Sequence, residues 1–311
     1  MLLIGPNLLS GIGQMLLKYG QLFPNSRYVQ IGQVIPEDEV ALIFALPIQF
    51  WLDEIPNIKQ KIKKVICMTI CETETVHEDY GKLFKLFDTI AVNSTFCQKV
   101  FKKQFPKNNF VIMRAYVPPF LKEQTFENSF NIPFGKYVFY HIGNVMDQRK
   151  NFKRILEAFM RLNLPHSLLV VKATCLQPVE IPLPNVLVIN GLLPDLDNLH
   201  AHCDCYVSFS SSEGIGMGAV EAALLDKPVI IPEYGGAPDY IKTPYLIKCG
   251  LQEIPNDDFL FKKGMVWGNP DFNQLMEFMK DAYDKKLRYM DHSHTKFVTS
   301  SSEILKSFKS I

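Results

Sequence analysis

Short apolar runs recur along the first part of the chain (MLLIG, VALIFAL, KVICMTI, DTIAV and NFVIM). Between them lie stretches such as GQMLLKYGQLF and STFCQKVFKKQF, in which apolar residues return every three or four positions. Runs that are apolar without alternation suit parallel strands covered on both faces, and the helical period between them suits the helices that do the covering. The rhythm therefore predicts βα units. It breaks at 118–133, where two adjacent prolines and aperiodic polar residues have the composition of an interdomain connection. A second series follows, with KYVFYHIG, SLLVVKA, NVLVING, DCYVSFS and KPVIIP as strands and NFKRILEAFMRL and GAVEAALL as helices. The expectation is an α/β protein of two Rossmann-like, doubly wound domains, residues 1–125 and 126–290, with a polar helical segment at about 291–311 packing back on the first.

Length agrees with this division, because 311 residues exceed the usual size of one hydrophobic core. The balance of 33 basic against 32 acidic residues leaves a net charge of +1, which gives no general drive toward nucleic acid or an anionic membrane and makes a small ligand the expected partner. Seven cysteines, an odd number without the spacing of a secreted scaffold, imply reduced thiols and a cytoplasmic protein. The apolar start lacks a basic flank and is interrupted by Pro6, Asn7 and Gly11, so neither a signal nor a transmembrane segment is expected. Peripheral membrane contact through a lipid-bearing acceptor stays open, although no stretch has the amphipathic, Lys/Arg-flanked character that argues for it.

The stretch richest in chemistry is SSSEGIGMGAVEAALLDKPVI at 210–230, a strand running into a glycine-rich turn and a helix. Gly214, Gly216 and Gly218 let the backbone approach a ligand, with Ile215 and Met217 between them, and the free amides of a helix N-terminus favour an anion such as a diphosphate. Glu213 sits in the turn and Glu221 about one helical turn inside, so both carboxylates can accept from hydroxyls of one ligand.

This stretch resembles the E-x7-E signature of family-4-type retaining glycosyltransferases. The likeness extends upstream to YHIGNVMDQRKNFKRILEAF and downstream to PEYGGAPDYI and VWGNPDFNQLMEFMKDAY, and in the first half to SGIGQ and DTIAVNSTFCQKVF. The resemblance implies the GT-B fold, with two Rossmann-like domains facing each other across a cleft. It implies a GDP- or UDP-sugar as donor substrate, no metal or other cofactor, and a glycan or glycolipid acceptor.

Carried over by position, Glu213 contacts the donor sugar, Glu221 the ribose and Lys150 the diphosphate. Gly143, Asn144 and Arg149 surround the donor, and Gly11 and Gly13 form the family's glycine-rich loop in the first domain. One departure stands out: the family commonly has Arg where this chain has Asn144, and Arg149 is the nearest substitute. Without the resemblance, Arg149 and Lys150 read rather as a solvated charge pair before a helix, and the resemblance reverses that preference. On the acceptor side Glu72 is the catalytic candidate, with Glu74 and His77 beside it, although Thr and Glu residues there also suit a helix cap.

Other signals in the sequence compete with this reading. Asp195 and Asp197 spell an Asp-x-Asp metal motif, but after Pro194 they look like the first turn of a helix. His200, His202, Cys203, Asp204 and Cys205 are dense in zinc-ligand types, yet they fit a helix end entering a buried strand. Cys67 and Cys71 lack redox spacing and read as core thiols. Two further readings remain. One is a catalytically silent GT-B module that binds nucleotide sugar. The other is a nicotinamide oxidoreductase, suggested by the glycines between Gly5 and Gly13, whose spacing is wrong for a dinucleotide turn.

Overall fold

The computed structural model of the protein describes residues 1–8, 10–119, 127–191 and 196–311. It divides into two compact units. The first is Met1–Pro118 with Glu253–Trp267 and Phe297–Ile311, and the second is Pro119–Gln252 with Gly268–Lys296. The segment Glu253–Trp267 in the first unit lies outside the boundaries read from the sequence.

In the first unit, β1 (Leu2–Gly5), β2 (Arg27–Gln30), β3 (Asp38–Phe44), β4 (Ile62–Thr69), β5 (Thr89–Val92) and β6 (Asn109–Ile112) form one six-stranded parallel sheet in the order β2-β1-β3-β4-β5-β6. The apolar runs become strands because both faces are covered: Leu2, Leu3 and Ile4 of β1 and Ala41 to Phe44 of β3 are all buried. The helices are α1 (Gly11–Gly20), α2 (Gln49–Lys61), α3 (Tyr80–Phe84) and α4 (Thr95–Gln104). Two of them start at serine caps, where Ser10 accepts from the Gly13 amide at 3.0 Å and Ser94 from the Cys97 amide at 3.1 Å. The core is rich in aromatic edge contacts, with Phe84 meeting Phe101 and Phe110 at 5.0 and 5.1 Å between ring centres.

The second unit holds β7 (Tyr137–Gly143), β8 (Ser167–Ala173), β9 (Val186–Ile189), β10 (Cys205–Val207), β11 (Val229–Pro232) and β12 (Leu246–Ile247), in the order β12-β11-β10-β7-β8-β9 and parallel throughout. All seven residues of β8 are buried. Helices α5 (Phe152–Leu162), α6 (Asp197–His202), α7 (Met217–Leu224), α8 (Ala237–Tyr240) and α9 (Phe272–Asp284) accompany the sheet. On α5 the buried residues Phe152, Ile155, Ala158 and Phe159 form one stripe at helical spacing. Asp271 opens α9 by accepting from the Asn273 and Gln274 amides.

A two-stranded sheet of β13 (Cys249–Glu253) and β14 (Val266–Pro270) bounds the segment that joins the first unit. The polar tail forms α10 (Ser293–Val298) and α11 (Ser301–Lys309) rather than one continuous helix. In the first unit, Phe308 of α11 lies 4.6 Å from Phe23 between ring centres. Among the described residues no helix is long and apolar enough to cross a membrane.

Candidate functional site

In the second sheet the chain runs from β7 outward to β8 and β9, then returns to the other side of β7 as β10. Connections diverge at that pair of strands, and in open α/β sheets ligands bind in the crevice outside the carboxyl ends of such strands. Gly143 ends β7, and the loop running to Gly216 follows β10. The first place to look for chemistry is therefore fixed by topology.

Two turns meet there. The first, a 3-10 turn at Gln148–Lys150, is capped by Asp147, whose carboxylate accepts from the Arg149 amide at 2.9 Å. The second is the serine-rich loop after β10. The Ser211 amide donates to the Arg149 carbonyl at 2.7 Å, and Asn151 donates to the Ser211 hydroxyl at 2.8 Å, so the backbones hold each other in place. Out of this frame Lys150 Nζ reaches Glu213 Oε1 at 2.5 Å, and Arg149 Nη1 stands 3.5 Å from Glu213 Oε2 while donating to the Ser212 carbonyl at 2.7 Å. Arg149 is also bonded to Asp147 at 3.2 Å, and the Ser210 hydroxyl donates to Glu213 at 2.7 Å. Burial by itself would push the Glu213 carboxyl up. The charges of Lys150 and Arg149 and the hydrogen bonds from Lys150 and Ser210 outweigh it and hold the carboxyl down at about 2.

Helix α7 begins at this cluster. Its N-cap, Gly216, has φ of +76°, a left-handed conformation that costs glycine nothing and other residues about a kilocalorie or more. A β-carbon on Gly218 would lie 2.8 Å from the Tyr206 hydroxyl, so the helix start packs closely on the strand layer. Gly214 and Ile215 are buried and Met217 is half-buried. Glu221, one turn inside α7, is 7% exposed, and its Oε2 lies 3.6 Å from Nε2 of the buried His200, whose Nδ1 is 2.8 Å from the Tyr140 hydroxyl. The structure thus brings Arg149, Lys150 and Glu213 into direct contact and gives Glu221 a separate partner. Asn144 is exposed, with Oδ1 accepting from the Met146 amide at 3.1 Å and the Cys175 thiol at 3.0 Å.

In the first unit, Gly11 opens α1 with free space around it, whereas a β-carbon on Gly13 would lie 2.4 Å from the Asn7 carbonyl oxygen, so that position serves loop packing. Glu72 follows β4, in a loop that ends before α3, and shares a small recess with His77, Leu260 and Phe261. Glu74 fixes this loop by donating its amide to the Val266 carbonyl at 2.9 Å, and His77 lies 3.3 Å from Asp79. Asp79, not Glu72 or Glu74, occupies the N-cap position of α3.

Asp195 lies outside the described residues, and Asp197 stands in the first turn of α6. Of the dense His/Cys segment, His200 faces Glu221, His202 Nδ1 bonds the Asn198 carbonyl at 2.9 Å, Asp204 accepts from the Val138 amide and pairs with Arg288, and Cys203 and Cys205 are buried. Cys67 and Cys71 are buried free thiols. Sequence reasoning missed Ser210, Asp147 and the His200–Glu221 contact. A serine three positions before Glu213 and an aspartate two before Arg149 were readable as local partners. His200 carried no such signal, because its contact depends on how α6 packs on α7.

Residues 122–263, just under half of the chain, match the family described as Glycosyl transferases group 1. Among curated proteins, none matches the chain in sequence. Among solved structures, the pneumococcal O-GlcNAc transferase GtfA in complex with UDP and GlcNAc superposes with a TM-score of 0.58 at 14% identity, over 87% of this chain and 56% of that one. The Anabaena protein HepE in complex with UDP and glucose gives 0.63 at 12% identity, over 100% of both chains. A trehalose-6-phosphate protein from E. coli bound with UDP-2-fluoro glucose gives 0.60 at 10% identity, over 89% of this chain and 73% of that one. The chain thus spans about half the length of the pneumococcal protein and the whole length of HepE. The fold is that of GT-B glycosyltransferases, and the resemblance to them read from the sequence is borne out.

Proposed function

We propose that the second unit binds a nucleoside diphosphate sugar and that the protein transfers its sugar, with retention and without a metal, to a glycan or lipid-linked acceptor received by the first unit. The observation that carries this reading is the contact of Lys150 and Arg149 with Glu213 beside the start of α7. As a sugar–phosphate bond breaks, positive charge grows on the sugar and negative charge on the departing diphosphate. Groups set in place beforehand to meet that charge are worth about 2.7 to 4 kcal/mol each in the transition state. In this reading Lys150 and the amides that open α7 take the anion, Glu213 accepts from hydroxyls of the sugar, and Glu221 accepts from the ribose. Glu72 is the acceptor-side candidate. The seven cysteines are all free, which supports a reducing, cytoplasmic setting.

A thermal-shift panel of UDP-, GDP- and ADP-sugars tests the proposal. At a hundred times its dissociation constant a ligand adds about 2.7 kcal/mol, a rise of roughly 4 °C for a chain of this size. UDP-sugars come first, because GtfA and HepE were solved with UDP. The configuration of the transferred sugar, read by NMR of the product, tests retention. If no nucleotide sugar shifts the melting point, the donor-site reading fails. Binding without hydrolysis or transfer would mark a binding module instead.

A further inference from the structure

The ring of His141, on β7 two residues before Gly143, is 1% exposed and lies between Phe152 and Tyr206, at 5.7 and 6.3 Å between ring centres. Its Nδ1 is 2.9 Å from the Val207 carbonyl. A carbonyl only accepts, so Nδ1 carries the proton, and in the neutral ring Nε2 is a bare lone pair. That Nε2 is buried and has no hydrogen-bond partner among the described residues, an arrangement that costs about 1 to 3 kcal/mol if it stays unmet. A β-carbon on Gly143 would stand 3.1 Å from Nε2, and its three nearest neighbours would all be atoms of this ring. Because residue 143 is glycine, that space is left to another atom.

Charge gives the second half of the argument. Arg149 is paired with Asp147 and Glu213, and Lys150 with Glu213, so the two cations of the cluster already face two carboxylates. A diphosphate would bring two or more negative charges to a cluster with no excess cation, beyond roughly half a charge from the start of α7. We propose that His141 binds a proton from solvent together with the diphosphate, its Nε2–H then donating to the anion over Gly143 and adding a positive charge to those of Arg149 and Lys150, which Asp147 and Glu213 already balance.

The groups facing the ring are Lys150 from the 3-10 turn, Glu213 from the loop after β10 and Tyr206 from β10, while β8 sets Val171 beside it and α5 sets Phe152. Burial pushes the imidazole down to about 4. The Val207 hydrogen bond opposes this, Lys150 adds to it, and Glu213 opposes it. A neighbouring dianion offsets the first effect and neutralises the third, so the pKa rises on binding. The gain in affinity from the ring then grows as pH falls through the raised value toward about 4, and is lost as pH climbs back through the raised value.

The inference rests on the nucleotide-sugar reading, and the test separates the two. UDP, with GDP and ADP alongside, is titrated calorimetrically at pH 6 in two buffers of different ionisation enthalpy, into the parent, His141→Gln and His141→Phe. A terminal phosphate titrates near 6 by itself, so the comparison with the variants isolates the ring. The parent is expected to take up between about half and one proton more per site than either variant. Its binding at pH 6 should be tighter than that of His141→Phe by about two-fold for half a proton taken up and about ten-fold as the uptake approaches one. The Cε1 proton of His141, followed by NMR in the parent alone, should move to the imidazolium position on UDP addition, a readout that does not depend on any variant folding. Equal proton uptake in parent and variants, or an unmoved ring signal with UDP bound, overturns the role of His141 and leaves the donor site standing. A folded parent that binds none of the three nucleotides removes both.

Discussion

Replacing Glu213 with Gln keeps the shape of the side chain and one acceptor for Ser210 and Lys150, but removes the charge between Lys150 and Arg149. The carboxyl stands at about 2 against an ordinary value of 4.5, which corresponds to roughly 3 kcal/mol of folding stability at neutral pH. The side chain is 15% exposed, so solvent screening trims this figure only partly. Loss of the negative charge between Lys150 and Arg149, which leaves the two cations near each other with only Asp147 opposite Arg149, acts in the same direction. A carboxylate with a lowered folded-state value stabilises fully above its unfolded value and loses that effect as pH falls through the folded one. The gap between parent and Glu213→Gln should therefore be constant from pH 7 to about 5 and close between about 4.5 and 2. Urea unfolding of both proteins at half-unit steps from pH 7 to the lowest pH at which both fold measures it. A Glu213→Gln protein as stable as the parent at pH 7, or a gap that stays the same down to pH 3, would refute the ion-pair account of this cluster. If the donor reading holds, the same variant should bind nucleotide sugar but turn it over slowly, by single-turnover measurement.

Three other outcomes are expected. Glu221→Gln should weaken nucleotide binding by about ten-fold or more while leaving the rate on bound donor largely intact, because a charged acceptor becomes a neutral one; equal dissociation constants in calorimetry would count against a ribose contact. Asn144→Arg should tighten nucleoside diphosphate binding, since a guanidinium makes two parallel bonds to phosphate oxygens and the residue it replaces is exposed; weaker binding by an intact fold would show that the space is already used. Transfer activity should survive EDTA, and activity lost in EDTA and restored by manganese would move the donor site toward a metal.

The strands that sequence made legible are those buried on both faces. KYVFYHIG and SLLVVKA became β7 and β8 within a residue or so, whereas β2 and β12 were missed. β2 is a partly exposed edge with a single buried residue, and β12 is only two residues long, so neither carries a run of apolar positions. Helix α2 contains Pro56, which reads as a breaker in sequence, yet Trp51, Ile55 and Ile58 bury one face and hold the helix through it. At the site, Glu213 and Lys150 were legible because each follows a short turn that ends a recognisable strand. Their contact with each other was not, since it joins residues more than sixty positions apart across the β7–β10 switch. His141 was hidden for a different reason: in sequence it is one more residue of a buried strand, and only the unmet Nε2 in three dimensions sets it apart.

The first unit is assembled from three stretches of chain, and one of them comes last. Its sheet and four helices are complete in sequence by residue 118, but Phe23 acquires the ring of Phe308 only when the segment Phe297–Ile311 has been synthesised, after the whole of the second unit. At ribosomal speeds of about 5 to 20 residues per second, the earlier part of that unit waits on the order of ten seconds or more for its final helix. During that wait it exposes apolar surface that α11 later covers, so nascent chains stalled before residue 297 are the form of this protein on which chaperones and proteases have the longest time to act.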